Sequence, residues 1–99
     1  MPRLKKHLSN DAFLDKVLTD NEKEIYSSMN TEKRKLEFLS GRFAAKEAYS
    51  KACGTGIGVV DFHDFEVLRS PQGKPISNIG SVSISHDEDY AMAVVMLYE

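Results

Sequence analysis

Glu47 is the residue whose type and setting most invite chemistry. It sits in the stretch from Gly41 to Gly58, on one stripe with Leu36, Leu39 and Phe43. A carboxylate on an apolar stripe must be paired, metal-bound or protonated, because an isolated buried charge is too costly. Lys51 follows one turn later, so an ordinary i,i+4 ion pair on a half-exposed edge accounts for the same pattern. Magnesium usually takes one or two carboxylates together with phosphate oxygens and waters, so one Glu is compatible with such a site without completing it. Arg42 and Lys46 share another face at i,i+4. Like charges there repel mildly unless an anion lies between them, and a solvated edge is the alternative.

Gly54-Thr55-Gly56-Ile57-Gly58 could cradle a phosphate with backbone N–H groups. It comes after a helix and lacks the spacing of a Walker A loop or a dinucleotide fingerprint. It also lies at the negative end of the helix dipole, which disfavours an anion. A helix stop explains it too. His86 ends the run Ser83-Ile84-Ser85-His86, where it could donate to a phosphate or be satisfied in a turn by Ser85 or Asp87. There is no nucleophile elbow, no Ser/His/Asp order and no Cys/His cluster with zinc spacing.

The elements that must position these residues can be read from period and punctuation. Ser9, Asn10 or Asp11 caps a helix to about Leu18, with Phe13, Leu14, Val17 and Leu18 as its apolar face. Thr19 and Glu22 form a capping box that opens a second short helix through Ile25, Tyr26 and Met29. The main helix starts at Asn30 or Thr31 and runs from about Glu32 to Cys53, with Gly54 as its stop. Leu36, Leu39, Phe43, Glu47 and Ser50 fall on one stripe, and Phe38, Ala45, Tyr49 and Ala52 on a nearly opposite one. A helix apolar on two sides is central or contacts another subunit.

Beyond Gly58 the period becomes extended. Val59 to Arg69 reads as a strand, bent or bulged near Asp61, His63 and Asp64. Ser70-Pro71-Gln72-Gly73 is a turn, and Lys74-Pro75 leaves it. Asn78-Ile79-Gly80 is a bend. Ser81 to Ser85 alternates, with Val82 and Ile84 on one face, and Tyr90 to Tyr98 is apolar on both faces, as a central or interface strand is. The last two strands form a hairpin. Helices and then an antiparallel meander predict an α+β domain, helices packed on an antiparallel sheet.

Ninety-nine residues make one domain, 1–99. A chain this short buries a modest share of its surface, and oligomerisation is one common remedy. The composition is that of an ordinary globular protein. No apolar run reaches the roughly 20 residues that span a bilayer, so no membrane partner is expected. The basic start lacks an adjoining apolar signal core, and the single Cys53 fits a reducing cytoplasm. Residues 1–51 carry 11 Lys/Arg against 8 Asp/Glu, a balance of +3, and residues 52–99 carry 2 against 7, a balance of −5. A basic first half suits an anionic partner or is simply a solvated helical surface. A nucleic-acid-binding domain is disfavoured, since the strands show no basic-aromatic array and the second half is acidic.

Residues 34–52 together with Gly54-Thr55-Gly56 resemble the signature helix of holo-acyl-carrier-protein synthases. Gly73-Lys74-Pro75 and Val82-Ser83-Ile84-Ser85-His86 resemble that family's two later motifs, in the right order. The resemblance extends over nearly the whole chain. It implies a 4′-phosphopantetheinyl transferase fold and the transfer of the phosphopantetheine arm of coenzyme A to a serine of apo acyl carrier protein, releasing adenosine 3′,5′-bisphosphate. It also implies a cytoplasmic homotrimer with active sites between neighbouring subunits.

By the same resemblance Glu47 is a magnesium ligand, and Lys51 lies at the pyrophosphate. Arg42 and His86, with Ser85 beside it, surround the 3′-phosphate. Gly54, Thr55, Gly56, Gly73, Lys74 and Pro75 line the nucleotide, with Lys46 nearby. Arg3 and the basic first segment meet the carrier protein. Family members begin with a strand carrying a Gly-x-Asp-Ile/Leu motif whose aspartate is the other metal ligand, and Met1-Pro2-Arg3 aligns with the residues just after that strand. The expectation is therefore weak or absent transfer by the 99-residue form, and the alternative reading is a homologue that binds coenzyme A or carrier protein without transfer.

Overall fold

Asn10 opens the first helix, α1 (Asp11–Val17), by accepting the Phe13 N–H at its side-chain oxygen. Thr19 opens α2 (Asp20–Ser27) with a complete capping box. Its hydroxyl accepts from Glu22 N–H, and the Glu22 carboxylate accepts from Thr19 N–H at 2.8 Å. Thr31 opens α3 (Glu32–Ala52) by accepting from Arg34 N–H, and Cys53 caps its end. These starts are the ones that side chains with oxygens three residues ahead of an N–H dictate. The computed structural model describes residues 7–53, 62–86 and 91–97, with His86 through its backbone only. The glycine run from Gly54 to Gly58 lies outside the described residues.

The extended half differs from expectation where it leaves the helix. Within the span read as a strand from Val59 to Arg69, residues 59–61 lie outside the described residues. Phe62–Asp64 is a 3₁₀ turn and only Val67–Arg69, β1, is a strand. The cause is a side chain of another element. Lys46 Nζ donates to the carbonyls of both Phe62 and Phe65 at 2.7 Å. Carbonyls three apart in an extended strand point to opposite sides, so one ammonium reaches both only if the segment turns.

β1 pairs antiparallel with β2 (Pro75–Ser77), Val67 opposite Ser77 and Arg69 opposite Pro75. The turn between them closes through Gly73 N–H to Ser70 C=O, with Gly73 at a φ of 86° that suits glycine. β3 (Ser81–His86) and β4 (Ala91–Met96) form the expected hairpin, Ser81 opposite Met96 and His86 opposite Ala91. Among the described residues the strands make two two-stranded ladders, not one continuous meander.

Helix α3 is central. On one side it meets α1 and α2 through Leu14, Val17, Leu18, Tyr26, Phe38 and Leu39. On the other, Ala45 joins Phe65 and Val67, against which Tyr49, Val82, Ile84, Ala93 and Val95 pack. Gly41 lets α3 approach β3, since a Cβ there would stand 3.0 Å from Ile84 Cγ2. Helices laid on antiparallel ladders give the α+β class that the sequence predicts. The opposite face of β4 carries Met92, Val94 and Met96, each more than half exposed, while Ser81, Ser83 and Ser85 lie opposite them on β3.

Candidate active site

Arg42, Gly73 and Pro75, three of the residues singled out by sequence, come together around one cavity of about 270 Å³. The N-terminal half of α3 supplies Arg34, Glu37, Phe38, Gly41 and Arg42, and β3 supplies Ile84. Arg69 and the turn with Gly73 and Pro75 close the other side. Three arginines against one glutamate give the cavity a positively charged lining. Arg34 and Arg69 were not picked out by sequence. The one signal for Arg69 was its place next to the turn that carries Gly73.

Arg42 is buried and fixed. Its Nε donates to Val67 C=O and its second terminal nitrogen to Leu68 C=O, each at 3.0 Å, and the guanidinium lies 4.1 Å from the Phe38 ring centre. Burial lowers its pKa to about 10, an effect the Glu22 carboxylate opposes and Arg69 reinforces. The group is a cation at neutral pH. Two of its nitrogens are taken by the protein's own backbone.

Lys46, expected near the nucleotide, is buried and does not line the cavity. Its side chain is fully buried, and its ammonium donates to Glu22 Oε1 at 2.9 Å as well as to the two carbonyls that bend residues 62–65. Those bonds use all three donors of the ammonium. Glu22 is equally occupied: Oε2 accepts from Val67 N–H at 2.7 Å while Oε1 also serves the α2 cap. Burial pushes the Lys46 ammonium down in pKa and Glu22 pulls it back. The solvated edge considered for Arg42 and Lys46 is therefore absent. Lys46 pairs with a carboxylate of the neighbouring helix, whose charge also favours the Arg42 cation.

Glu47, the next residue, is half-buried, and Lys51 is exposed in the last turn of α3. Gly73 and Lys74 are exposed and Pro75 is half-buried. Strand alternation puts Ser85 on the face opposite Ile84, away from the cavity. His86 ends β3, paired with Ala91 through its backbone, and Gly54, Thr55 and Gly56 lie outside the described residues. Among the described residues, no group of three or more His, Cys, Asp or Glu is placed to hold a metal. No helix among them is long and apolar enough to cross a membrane.

Comparison with known proteins points the same way. The family model for the 4′-phosphopantetheinyl transferase superfamily matches residues 2–95. A holo-[acyl-carrier-protein] synthase of a Geobacillus species is 52% identical over 97 residues, covering 91% of this chain and 81% of the relative. The crystal structure of a holo-(acyl-carrier-protein) synthase from Bacillus anthracis, in complex with CoA (3′,5′-ADP), superposes with a TM-score of 0.81. It is 45% identical, over 93% of this chain and 83% of that one. The synthase of Helicobacter pylori in complex with coenzyme A gives a TM-score of 0.74 at 31% identity, over 96% of this chain and 92% of that one. A long helix with its arginines on a positively lined cavity, a glycine–proline turn opposite and a match along almost the whole sequence have one explanation: the chain belongs to the 4′-phosphopantetheinyl transferase superfamily.

Proposed function

We propose that this protein transfers the 4′-phosphopantetheine arm of coenzyme A to a serine of apo acyl carrier protein, giving holo carrier protein and adenosine 3′,5′-bisphosphate. The observation that carries the reading is the cleft. Arg34 and Arg42 on α3 face Arg69 and the Gly73–Pro75 turn across a space that suits a phosphorylated nucleotide, and relatives of about half identity are named as synthases of this kind. In the transfer the serine oxygen bonds to the phosphorus that bears the arm. The pyrophosphate P–O bond on the nucleotide side breaks, and the serine proton leaves.

Each residue then has a task. Arg42, with Arg34, Arg69 and His86, holds the 3′-phosphate, and Gly73, Lys74 and Pro75 line the nucleotide together with Gly54, Thr55 and Gly56. Lys51 neutralises the leaving phosphate, and Ser85 acts through its backbone beside His86, since its side chain is on the face away from the cavity. Glu47 offers a half-buried carboxylate, one hard oxygen ligand of the kind magnesium accepts alongside phosphate oxygens and water. When bound, that ion supplies charge stabilisation at the pyrophosphate. Arg3 and the basic first segment steer the acidic carrier protein. The chain works in the cytoplasm, in fatty acid synthesis, as a homotrimer with sites between subunits, and the bare β4 face of Met92, Val94 and Met96 supports that assembly.

Mixing the protein with apo carrier protein, coenzyme A and magnesium tests the reading by mass spectrometry. The expected result is a carrier heavier by one arm, with Glu47→Ala abolishing the gain and a chelator stopping it. Binding of coenzyme A with no mass gain in the unaltered protein would replace this reading with a binding-only one.

A further inference from the structure

Glu22 and Lys46 are the most deeply buried charged pair among the described residues, with both side chains fully inaccessible. Neither reaches the cleft: neither lines it. Their bonds instead converge on the segment that becomes its wall. Lys46 holds the carbonyls of Phe62 and Phe65. Glu22 holds the N–H of Val67, and Arg42, one turn before Lys46 on α3, holds the carbonyls of Val67 and Leu68. Val67 thus has both backbone groups bound to side chains, one from α2 and one from α3. Two residues later comes Arg69, and then the turn with Gly73 and Pro75, all of them on the cleft.

We propose that Glu22 and Lys46 are positioning residues for nucleotide binding: their buried pair ties residues 62–67 to α2 and α3 and so sets where Arg69 and the Gly73–Pro75 turn stand relative to Arg42. The inference rests on the transferase reading, since it presumes that the cleft takes the adenosine 3′,5′-bisphosphate end of coenzyme A. Its chemistry is specific to a carboxylate. A glutamine at position 22 offers one acceptor where two are used. Its amide N–H₂ then faces either Val67 N–H or the Lys46 ammonium, donor against donor, and the wall must move.

The test is calorimetric binding of adenosine 3′,5′-bisphosphate together with steady-state transfer. Glu22→Gln is expected to weaken binding about tenfold or more, and to raise KM for coenzyme A with little change in kcat, because displaced contacts distant from the reacting atoms act through binding geometry. The double variant Glu22→Leu/Lys46→Met replaces the pair with apolar groups of similar volume, so neither charge is left buried without its partner. It is expected to stay folded and still bind weakly, which keeps the test open if the single variant does not fold. Leu14→Ala, in the apolar cluster with α1, lowers thermal stability and leaves affinity unchanged. Unchanged affinity in a folded pair variant overturns the inference alone, as does equal weakening by Leu14→Ala. Absence of nucleotide binding by the unaltered protein removes the transferase reading, and the inference falls with it.

Discussion

At the scale of single residues, Lys46 and Glu47 divide the labour of one helix. They are neighbours in sequence, so they point about 100° apart around α3. Lys46 turns inward to Glu22 and two carbonyls, whereas Glu47 stays half-buried at the edge. The consequence of removing the first is thermodynamic. Lys46→Ala leaves the Glu22 carboxylate buried without its cation, and breaking such a pair costs about 3–5 kcal/mol. The expected outcome is a large drop in the urea midpoint, and a midpoint within experimental error of the unaltered protein would refute it. That Lys46 is internal was not legible in the sequence. Its i,i+4 spacing to Arg42 shows two cations on one face, but the anion that lets them be buried comes from α2. Glu22 is explained locally as a helix cap, and nothing local announces that its second oxygen reaches Val67. Arg42, Gly73 and Pro75 stand in motifs, and the fold brings them to one cavity. Arg34 and Arg69 join the cleft only through the way the chain folds.

At the scale of elements, the caps show what sequence does carry. Asn10, Thr19 and Thr31 each bond to an N–H three residues on, so the whole signal lies within one turn of chain. Thr19 carries more than its cap: its hydroxyl also donates to Glu66, which ties the start of α2 to the approach of β1. Thr19→Ala is therefore expected to destabilise by about 1–2 kcal/mol, the upper part of the range for N-caps. Thermal or urea unfolding measures this, and a loss no greater than a few tenths would show that neither bond matters. The strand expected from Val59 to Arg69 failed for the converse reason. Its residues favour extended backbone, but an ammonium from α3 bends 62–65, and tertiary contacts override so weak a local preference.

At the scale of the whole molecule, the two faces of β4 tell different stories. Ala93 and Val95 pack toward α3, while Met92, Val94 and Met96 stand bare in a row. Alternation of small and apolar residues that fills both faces is what the sequence shows, and in a single chain only one face is covered. Val94→Lys places a charge in the middle of the bare face. It is expected to convert the proposed trimer to monomer in sedimentation, and to reduce transfer if sites lie between subunits. A single chain mass for the unaltered protein would dismiss the assembly.

The bonds to residues 62–68 also govern how this part of the protein comes together and apart. A cation and an anion cannot be left half-solvated in an apolar interior, since each alone costs far more than the pair. The segment therefore docks on α2 and α3 in one event, with Lys46, Glu22, both Phe carbonyls and the Val67 amide desolvated at once. No stepwise loosening of the cleft wall is cheap: it is either seated or undocked. On the proposed reading, a nucleotide arriving at Arg42 and Arg69 meets a wall that these bonds already hold, so little of its binding energy goes into ordering the protein.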